Sequence, residues 1–167
     1  GKKEFNELLN LILIKETFFF RDDRQLKVLT ENILPALIER KKDKEIKIWS
    51  AGCATGEEPY SIAMALMESS LPDSMNVSIY ATDISEEALK KAAAGIYSKG
   101  SMRSIDKTIS NKYFTQKDGR YYLNDTVKQR ICFDTINLIE PFFPREANHV
   151  DIIICKNVLI YFRTETV

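Results

Sequence analysis

A strand, a glycine-bearing turn and a helix in direct succession constrain the fold of this chain more than any other feature. Residues 46–49 (Ile-Lys-Ile-Trp) predict a short strand, and a turn bounded by Gly52 and Gly56 follows. Pro59 then suits the first turn of a helix over 59–69, because its fixed φ is helical and its missing N–H is not needed there. This order of elements is the repeating unit of α/β proteins.

A second unit of the same kind comes next. Residues 77–81 predict a strand that leads to Asp83, and Ser85 is predicted to cap a helix over 86–94. Gly95 ends that helix. Two successive strand–helix units predict a mostly parallel sheet, with ligands bound beyond the carboxyl ends of the strands.

The later part of the chain gives a less even pattern. Isoleucine-rich residues 151–155 predict a buried strand, and residues 127–133 predict a further strand. Helical signals around 105–114 are weak, and short extended pieces are expected near Tyr121. The strands continue the α/β pattern after an irregular interval.

Helices are predicted at the amino end. Apolar residues at helical spacing indicate helices over 4–14 and 23–40, and Pro35 is expected to break or kink the second. We therefore divide the chain into an N-terminal helical segment, 1–42, and an α/β domain, 43–167.

Composition excludes several classes of protein. With 44% hydrophobic and 29% charged residues, the chain suits a globular fold with a core. The longest unbroken apolar run, 62–67, has six residues, whereas a membrane span needs roughly 18. None of the three cysteines forms a CxxC motif, which predicts a reduced, cytoplasmic setting. His149 is the only histidine, and no metal site is predicted.

Charge is unevenly distributed, although the chain has 24 basic and 24 acidic residues. Residues 51–89 contain seven acidic side chains and no Lys or Arg, whereas residues 90–130 contain ten basic and three acidic ones. A basic stretch of this kind either docks against an acidic protein or forms a solvated face, and the sequence leaves both open. We predict no nucleic-acid binding.

The turn after the first strand is a candidate cofactor site. Gly52 lets a ligand approach the backbone closely. Glu57 and Glu58 at the helix start would repel a pyrophosphate, but they would attract a cofactor that has a positive centre and an ammonium group, such as S-adenosylmethionine. The alternative is that both glutamates only stabilise the helix dipole.

Asp83 ends the second predicted strand. A carboxylate in that place can accept hydrogen bonds from both hydroxyls of a ribose. The alternative is a residue that only precedes the helix, for which Ser85 already supplies a cap.

Several blocks of sequence occur in a fixed order along the chain: TFFFR at 17–21, WSAGCATGEEPYS at 49–61, ATDI at 81–84, GIY at 95–97, NL at 137–138 and NVLIYF at 157–162. Together these blocks closely resemble the chemotaxis receptor methyltransferase (CheR) family. The resemblance implies a Rossmann-like class I methyltransferase fold and S-adenosylmethionine-dependent O-methylation of glutamate side chains on the cytoplasmic helices of methyl-accepting chemoreceptors.

The resemblance also assigns site residues. It places Arg21 and Tyr161 nearest the transferring methyl group, and Arg21 and Lys156 beside the attacking carboxylate. The cofactor-binding positions, with Gly52 from the turn, are Thr17, Arg21, Gly52, Glu58, Asp83, Asn137, Leu138 and Asn157.

Two residues depart from the family pattern. Lys15 stands where the family usually has Asn, and Lys156 stands where it usually has Arg. A lysine keeps the charge but lacks the planar fork that grips a carboxylate with two hydrogen bonds.

The resemblance further implies that 43–167 is a partial S-adenosylmethionine-binding domain whose sheet is incomplete at its C-terminal strands. The edge of the strand at 151–155 would then be open, which predicts self-association.

A glutamate acceptor is already ionised at neutral pH, so the reaction needs alignment but no general base. Two alternative functions stay open: a non-catalytic S-adenosylmethionine-binding regulatory module and a small-molecule methyltransferase.

Overall fold

The computed structural model of the chain describes residues 17–72, 75–140, 144, 147 and 149–162, and only the backbone of Tyr161. The helix predicted over 4–14 and the departure at Lys15 lie outside these residues.

The first described helix, α1, has three contiguous pieces: Asp23–Val28, the π-helical turn Leu29–Ile33, and Leu34–Arg40. Pro35 lies in the first turn of the third piece. Because proline donates no N–H and its ring crowds the preceding turn, the wider π-helical turn lies directly before it. The irregularity predicted at Pro35 is confirmed.

The two predicted strand–helix units are confirmed, with ends that differ by a few residues. Strand β1 is Glu45–Ala51 and helix α2 is Glu57–Glu68. Strand β2 is Asn76–Asp83 and helix α3 is Glu86–Ala94. The Ser85 side chain accepts a hydrogen bond from Ala88 N–H, and Gly95 adopts the left-handed conformation at the other end of α3.

A small antiparallel sheet occupies the interval that the sequence left unclear. It consists of β3 (Ile96–Tyr97), β4 (Phe114–Lys117) and β5 (Arg120–Leu123), in the order β3-β5-β4. Helix α4, Lys107–Tyr113, precedes β4 and confirms the weak helical signal there. The extended piece expected near Tyr121 is β5.

The strand predicted over 127–133 is wrong in its first half. Residues Asp125–Lys128 form a short helix, α5, and strand β6 is Ile131–Thr135. Val127 favours a strand by local propensity, but its N–H bonds to the Asn124 carbonyl and its side chain is fully buried in the core. Tertiary packing therefore overrides the local preference.

The main sheet is parallel, with strand order β6-β2-β1-β7, where β7 is Ile152–Ile154. In chain order this is the 3-2-1-4 arrangement of a doubly wound fold, so the predicted α/β class is confirmed. All four carboxyl ends lie at one edge. Among the described residues β7 pairs with β1 alone, and Ile153 is 57% exposed.

Aromatic residues join the amino-terminal segment and the small sheet within one core. The buried Phe19 ring packs edge-on against Tyr97 and Phe114, with centroids 4.7 and 5.0 Å away. No helix in the described part of the chain is both long and apolar enough to cross a membrane.

Replacing the cap of α3 should lower stability measurably. Ser85→Ala removes the acceptor for Ala88 N–H, and we expect the free energy of unfolding to fall by about 1 kcal/mol in urea denaturation. Ser78→Ala is the control, because Ser78 is exposed on β2. Equal stability of the two variants would contradict the capping role.

Candidate active site

The loop after β1 is attached to the end of β2. Gly52 N–H and Cys53 N–H both donate to the Thr82 carbonyl oxygen, at 2.8 and 2.9 Å. The next amide, Ala54 N–H, donates to Asp83 Oδ2 at 2.8 Å. Three consecutive amides therefore hold the loop against β2 at the carboxyl edge of the sheet.

Glycine is required at both bounds of this loop. Gly52 and Gly56 have φ of +81° and +91°, values that side-chain-bearing residues rarely adopt. A Cβ atom on Gly52 would lie 2.3 Å from Val158 Cγ2. The absence of a side chain thus lets the loop pack closely against the segment after β7.

The two glutamates at the start of α2 have different surroundings. Glu57 is buried, and its carboxylate accepts hydrogen bonds from the Thr55 hydroxyl at 2.6 Å and the Ser101 hydroxyl at 3.0 Å. Burial raises the pKa of Glu57, and the hydroxyl donors partly oppose this. The Glu57 carboxylate thereby joins the loop to Ser101 and has a structural function.

Glu58 lies at the edge of the sheet. Its carboxylate accepts a hydrogen bond from the Ser50 hydroxyl at 2.7 Å and lies 3.7 Å from Lys156 Nζ. Burial raises the pKa of Glu58, and Ser50 and Lys156 oppose that rise. Of the two glutamates, Glu58 is the one that a bound ligand could contact.

Of the two roles that the sequence left open for Asp83, the structure shows the one at the start of α3, and the ribose role stays a prediction. Its Oδ1 accepts Ser85 N–H at 2.9 Å, so it contributes to the start of α3. Its Oδ2 accepts Ala54 N–H. A carboxylate has about four lone-pair sites, so both oxygens can still accept from a ribose hydroxyl.

The residues after β6 lie next to Asp83. Ile136 N–H donates to the Asp83 carbonyl oxygen at 3.2 Å, and Asn137 Oδ1 accepts Ile139 N–H at 3.3 Å. Leu138 packs against the apolar cluster that contains Trp49. Asn137 and Leu138 are therefore placed at the same edge as the loop after β1.

Residues 18–22, which we call the strap, form a second part of the candidate site. Phe19 N–H donates to the Ser101 carbonyl oxygen at 2.9 Å, and Phe20 N–H donates to Ser61 Oγ at 3.0 Å. Arg21 is exposed, with its guanidinium carbon 5.8 Å from the centre of the Phe18 ring. Thr17, directly before the strap, is half-buried.

The segment after β7 completes the arrangement. Lys156 Nζ forms an ion pair with Asp22 of the strap in addition to its contact with Glu58. Asn157 is exposed and has a φ of +58°. The side chain of Tyr161 lies outside the described residues, so its predicted place near the methyl group stays a prediction.

Sequence reasoning missed two partners in this region. Asp22 was not singled out, and neither was Ser50. Asp22 directly follows the TFFFR block, so the sequence indicated that Asp22 lies near the site. The sequence did not indicate which residue Asp22 contacts. The Ser50–Glu58 hydrogen bond could have been anticipated, because Ser50 at the end of β1 and Glu58 in the first turn of α2 are separated by one short loop.

The chemistry of these groups fits S-adenosylmethionine. That molecule carries an ammonium group, a positive sulfur and two ribose hydroxyls, all of which require acceptors or negative charge. Glu58 and Asp83 supply carboxylates beside the loop after β1, which has a glycine at each end. The arrangement therefore suits this cofactor better than a pyrophosphate-bearing one.

A profile of the family described as "CheR methyltransferase, SAM binding domain", where SAM is S-adenosylmethionine, matches residues 15–167. The chain belongs to this family. Its α/β fold and its cofactor, S-adenosylmethionine, agree with the site described above.

Curated relatives carry corresponding names. Chemotaxis protein methyltransferase 2 of Vibrio cholerae is 36% identical over 96% of this chain and 56% of its own length. The chemotaxis protein methyltransferase of Borreliella burgdorferi is 38% identical over 99% of this chain and 60% of its own length. The chain thus spans little more than half the length of these relatives.

A solved magnesium protoporphyrin IX methyltransferase from Synechocystis covers 98% of this chain and 57% of its own, with 18% identity and a TM-score of 0.38. The two structures are only distantly similar.

Removing the Asp83 carboxylate should weaken cofactor binding. Asp83→Ala leaves ribose hydroxyls without an acceptor, so the binding free energy should weaken by about 1–3 kcal/mol. Calorimetry with S-adenosylhomocysteine measures this affinity. The control is Asp134→Ala, because Asp134 is exposed on β6 and accepts the Tyr80 hydroxyl. Equal affinities in the two variants would refute the ribose role.

Proposed function

We propose that this chain uses S-adenosylmethionine to methylate glutamate side chains on the cytoplasmic domain of methyl-accepting chemoreceptors. The observation that carries the proposal is the placement of Glu58 and Asp83 beside the glycine loop at the carboxyl edge of the sheet, in a member of the CheR family. The names of the curated relatives support chemotaxis as the setting, and this setting implies a cytoplasmic location.

Cofactor binding is assigned to residues that the fold gathers at one edge. When bound, S-adenosylmethionine supplies a methyl group on a positively charged sulfur. Asp83 would accept the ribose hydroxyls, and Glu58 would attract the positive part of the molecule. The other proposed contacts are from Thr17, Arg21, Gly52, Asn137, Leu138 and Asn157.

Substrate binding is assigned to Arg21, with Tyr161 as a further donor. The acceptor carboxylate is an anion at neutral pH, so this chain has no proton to remove. An arginine stays charged and can hold a carboxylate with two parallel hydrogen bonds. Its task would be to align that carboxylate, and alignment contributes much of the rate in reactions of this kind.

The basic stretch supports docking on an acidic partner. Lys90, Lys91 and Lys99 are exposed around the end of α3, and Arg120 is exposed on the small sheet. Lys91 forms an ion pair with Glu87 at 2.6 Å, which reduces the positive charge that Lys91 adds to this surface. Electrostatic attraction of this kind mainly speeds association.

Methyl transfer to receptor fragments tests the function. The full chain, given S-adenosylmethionine with a tritiated methyl group and a receptor cytoplasmic fragment, should produce label that alkali releases, because carboxyl methyl esters hydrolyse in base. Arg21→Ala should lower transfer about 100-fold, because the substrate carboxylate loses its alignment. Affinity for S-adenosylhomocysteine should change much less, because the other proposed cofactor contacts are kept.

Arg24→Ala is the matched control, because Arg24 is an exposed arginine three residues later, in the first turn of α1. Tight binding of S-adenosylhomocysteine without any transfer would instead favour a non-catalytic cofactor-binding module. Label that resists alkali would exclude a glutamate ester.

A further inference from the structure

The strap is attached to three different elements of the domain. Phe19 N–H bonds to the Ser101 carbonyl, Phe20 N–H bonds to Ser61 on α2, and Asp22 pairs with Lys156 after β7. The third of these attachments joins two charged side chains, and it reaches the proposed cofactor edge.

The backbone of the strap is under strain. Phe20 has a φ of +54°, in the left-handed region where a bulky side chain is a genuine outlier. Such a conformation costs of the order of 1–3 kcal/mol and persists only where surrounding contacts enforce it. Contacts on both sides of Phe20 are therefore needed, and the side chain of Asp22 provides one contact on the Arg21 side.

The ammonium group of Lys156 is already balanced by two carboxylates. Asp22 and Glu58 both lie against it, and the three side chains are 38%, 20% and 26% exposed for Asp22, Glu58 and Lys156. A substrate carboxylate at the same ammonium would be a third anion in a partly buried place, which Coulomb repulsion disfavours. This geometry does not suit Lys156 for gripping the substrate.

We propose that Asp22 is a positioning residue that holds Lys156 against Glu58 and so fixes the strap, with Arg21, at the carboxyl end of β7. The inference rests on the proposed function, because the placement of Arg21 and Glu58 is functional only if the cofactor and the substrate carboxylate bind at this edge. Lys156 then acts as the link between strap and site, and Arg21 keeps the substrate role.

The ion pair can be opened without changing the size of either side chain much. Asp22→Asn removes the charge but keeps the shape, Asp22→Glu keeps the charge, and Lys156→Gln removes the other partner. The matched control is Asp23→Asn, because Asp23 is the neighbouring acid and pairs with Lys27 on the exposed face of α1 at 2.7 Å.

Two measurements on the full chain test the inference. Amide hydrogen exchange reports the strap directly, and Asp22→Asn should speed exchange at Phe19 and Phe20 about tenfold, whereas Asp23→Asn should not. Calorimetry with S-adenosylhomocysteine should show about tenfold weaker binding for Asp22→Asn and recovery in Asp22→Glu. In a Lys156→Gln background, Asp22→Asn should have little further effect.

The outcomes separate this inference from the proposed function. Unchanged exchange at Phe19 and Phe20 in Asp22→Asn would overturn the link. Faster amide exchange at Phe19 and Phe20 with unchanged affinity for S-adenosylhomocysteine would overturn the claim that Asp22 positions residues for cofactor binding. If the unmodified chain bound no S-adenosylhomocysteine, the proposed function would fail, and the exchange data alone would decide whether Asp22 holds the strap.

Discussion

The carbonyl oxygen of Thr82 accepts two backbone amides, from Gly52 and Cys53, and the candidate site depends on that pair of hydrogen bonds. The bonds join the end of β1 to the end of β2, so the loop cannot move independently of the sheet. Ala54 extends the same attachment to the side chain of Asp83. Because the two bonds to Thr82 join backbone groups at a parallel sheet edge, the fold sets the position of the loop, and side chains such as Glu58 are added to it.

Buried charge is divided between structure and site. The Glu57 carboxylate is enclosed, and its hydroxyl donors, Thr55 and Ser101, come from two different loops. Glu58 faces a cation instead, and Lys156 in turn faces Asp22. One glutamate therefore organises the protein, while the other belongs to a cluster of two carboxylates and one ammonium whose net charge stays negative.

Local signals predicted the elements that depend on local chemistry. Ser85 and Gly95 predicted both ends of α3, since a cap and a left-handed glycine are features of sequence. The extended piece near Tyr121 was predicted but its pairing into a small sheet was not, although Asp118 and Gly119, with φ of 49° and 71°, form the turn that an Asp-Gly pair favours between two strands. Motif resemblance indicated the site residues, but the contact of Asp22 with a lysine 134 positions later could not be predicted, because it depends on how the chain returns to the same edge.

The central claim is that the cofactor binds at the carboxyl edge of the parallel sheet, and a nuclear magnetic resonance titration of the full chain with S-adenosylhomocysteine tests it most directly. We predict that the amide signals of Gly52, Asp83 and Asn157 shift most. Those of Glu45 and Asn76, at the amino ends of β1 and β2, should stay nearly unchanged. Shifts centred on Glu45 and Asn76, with none at the other three residues, would contradict the account.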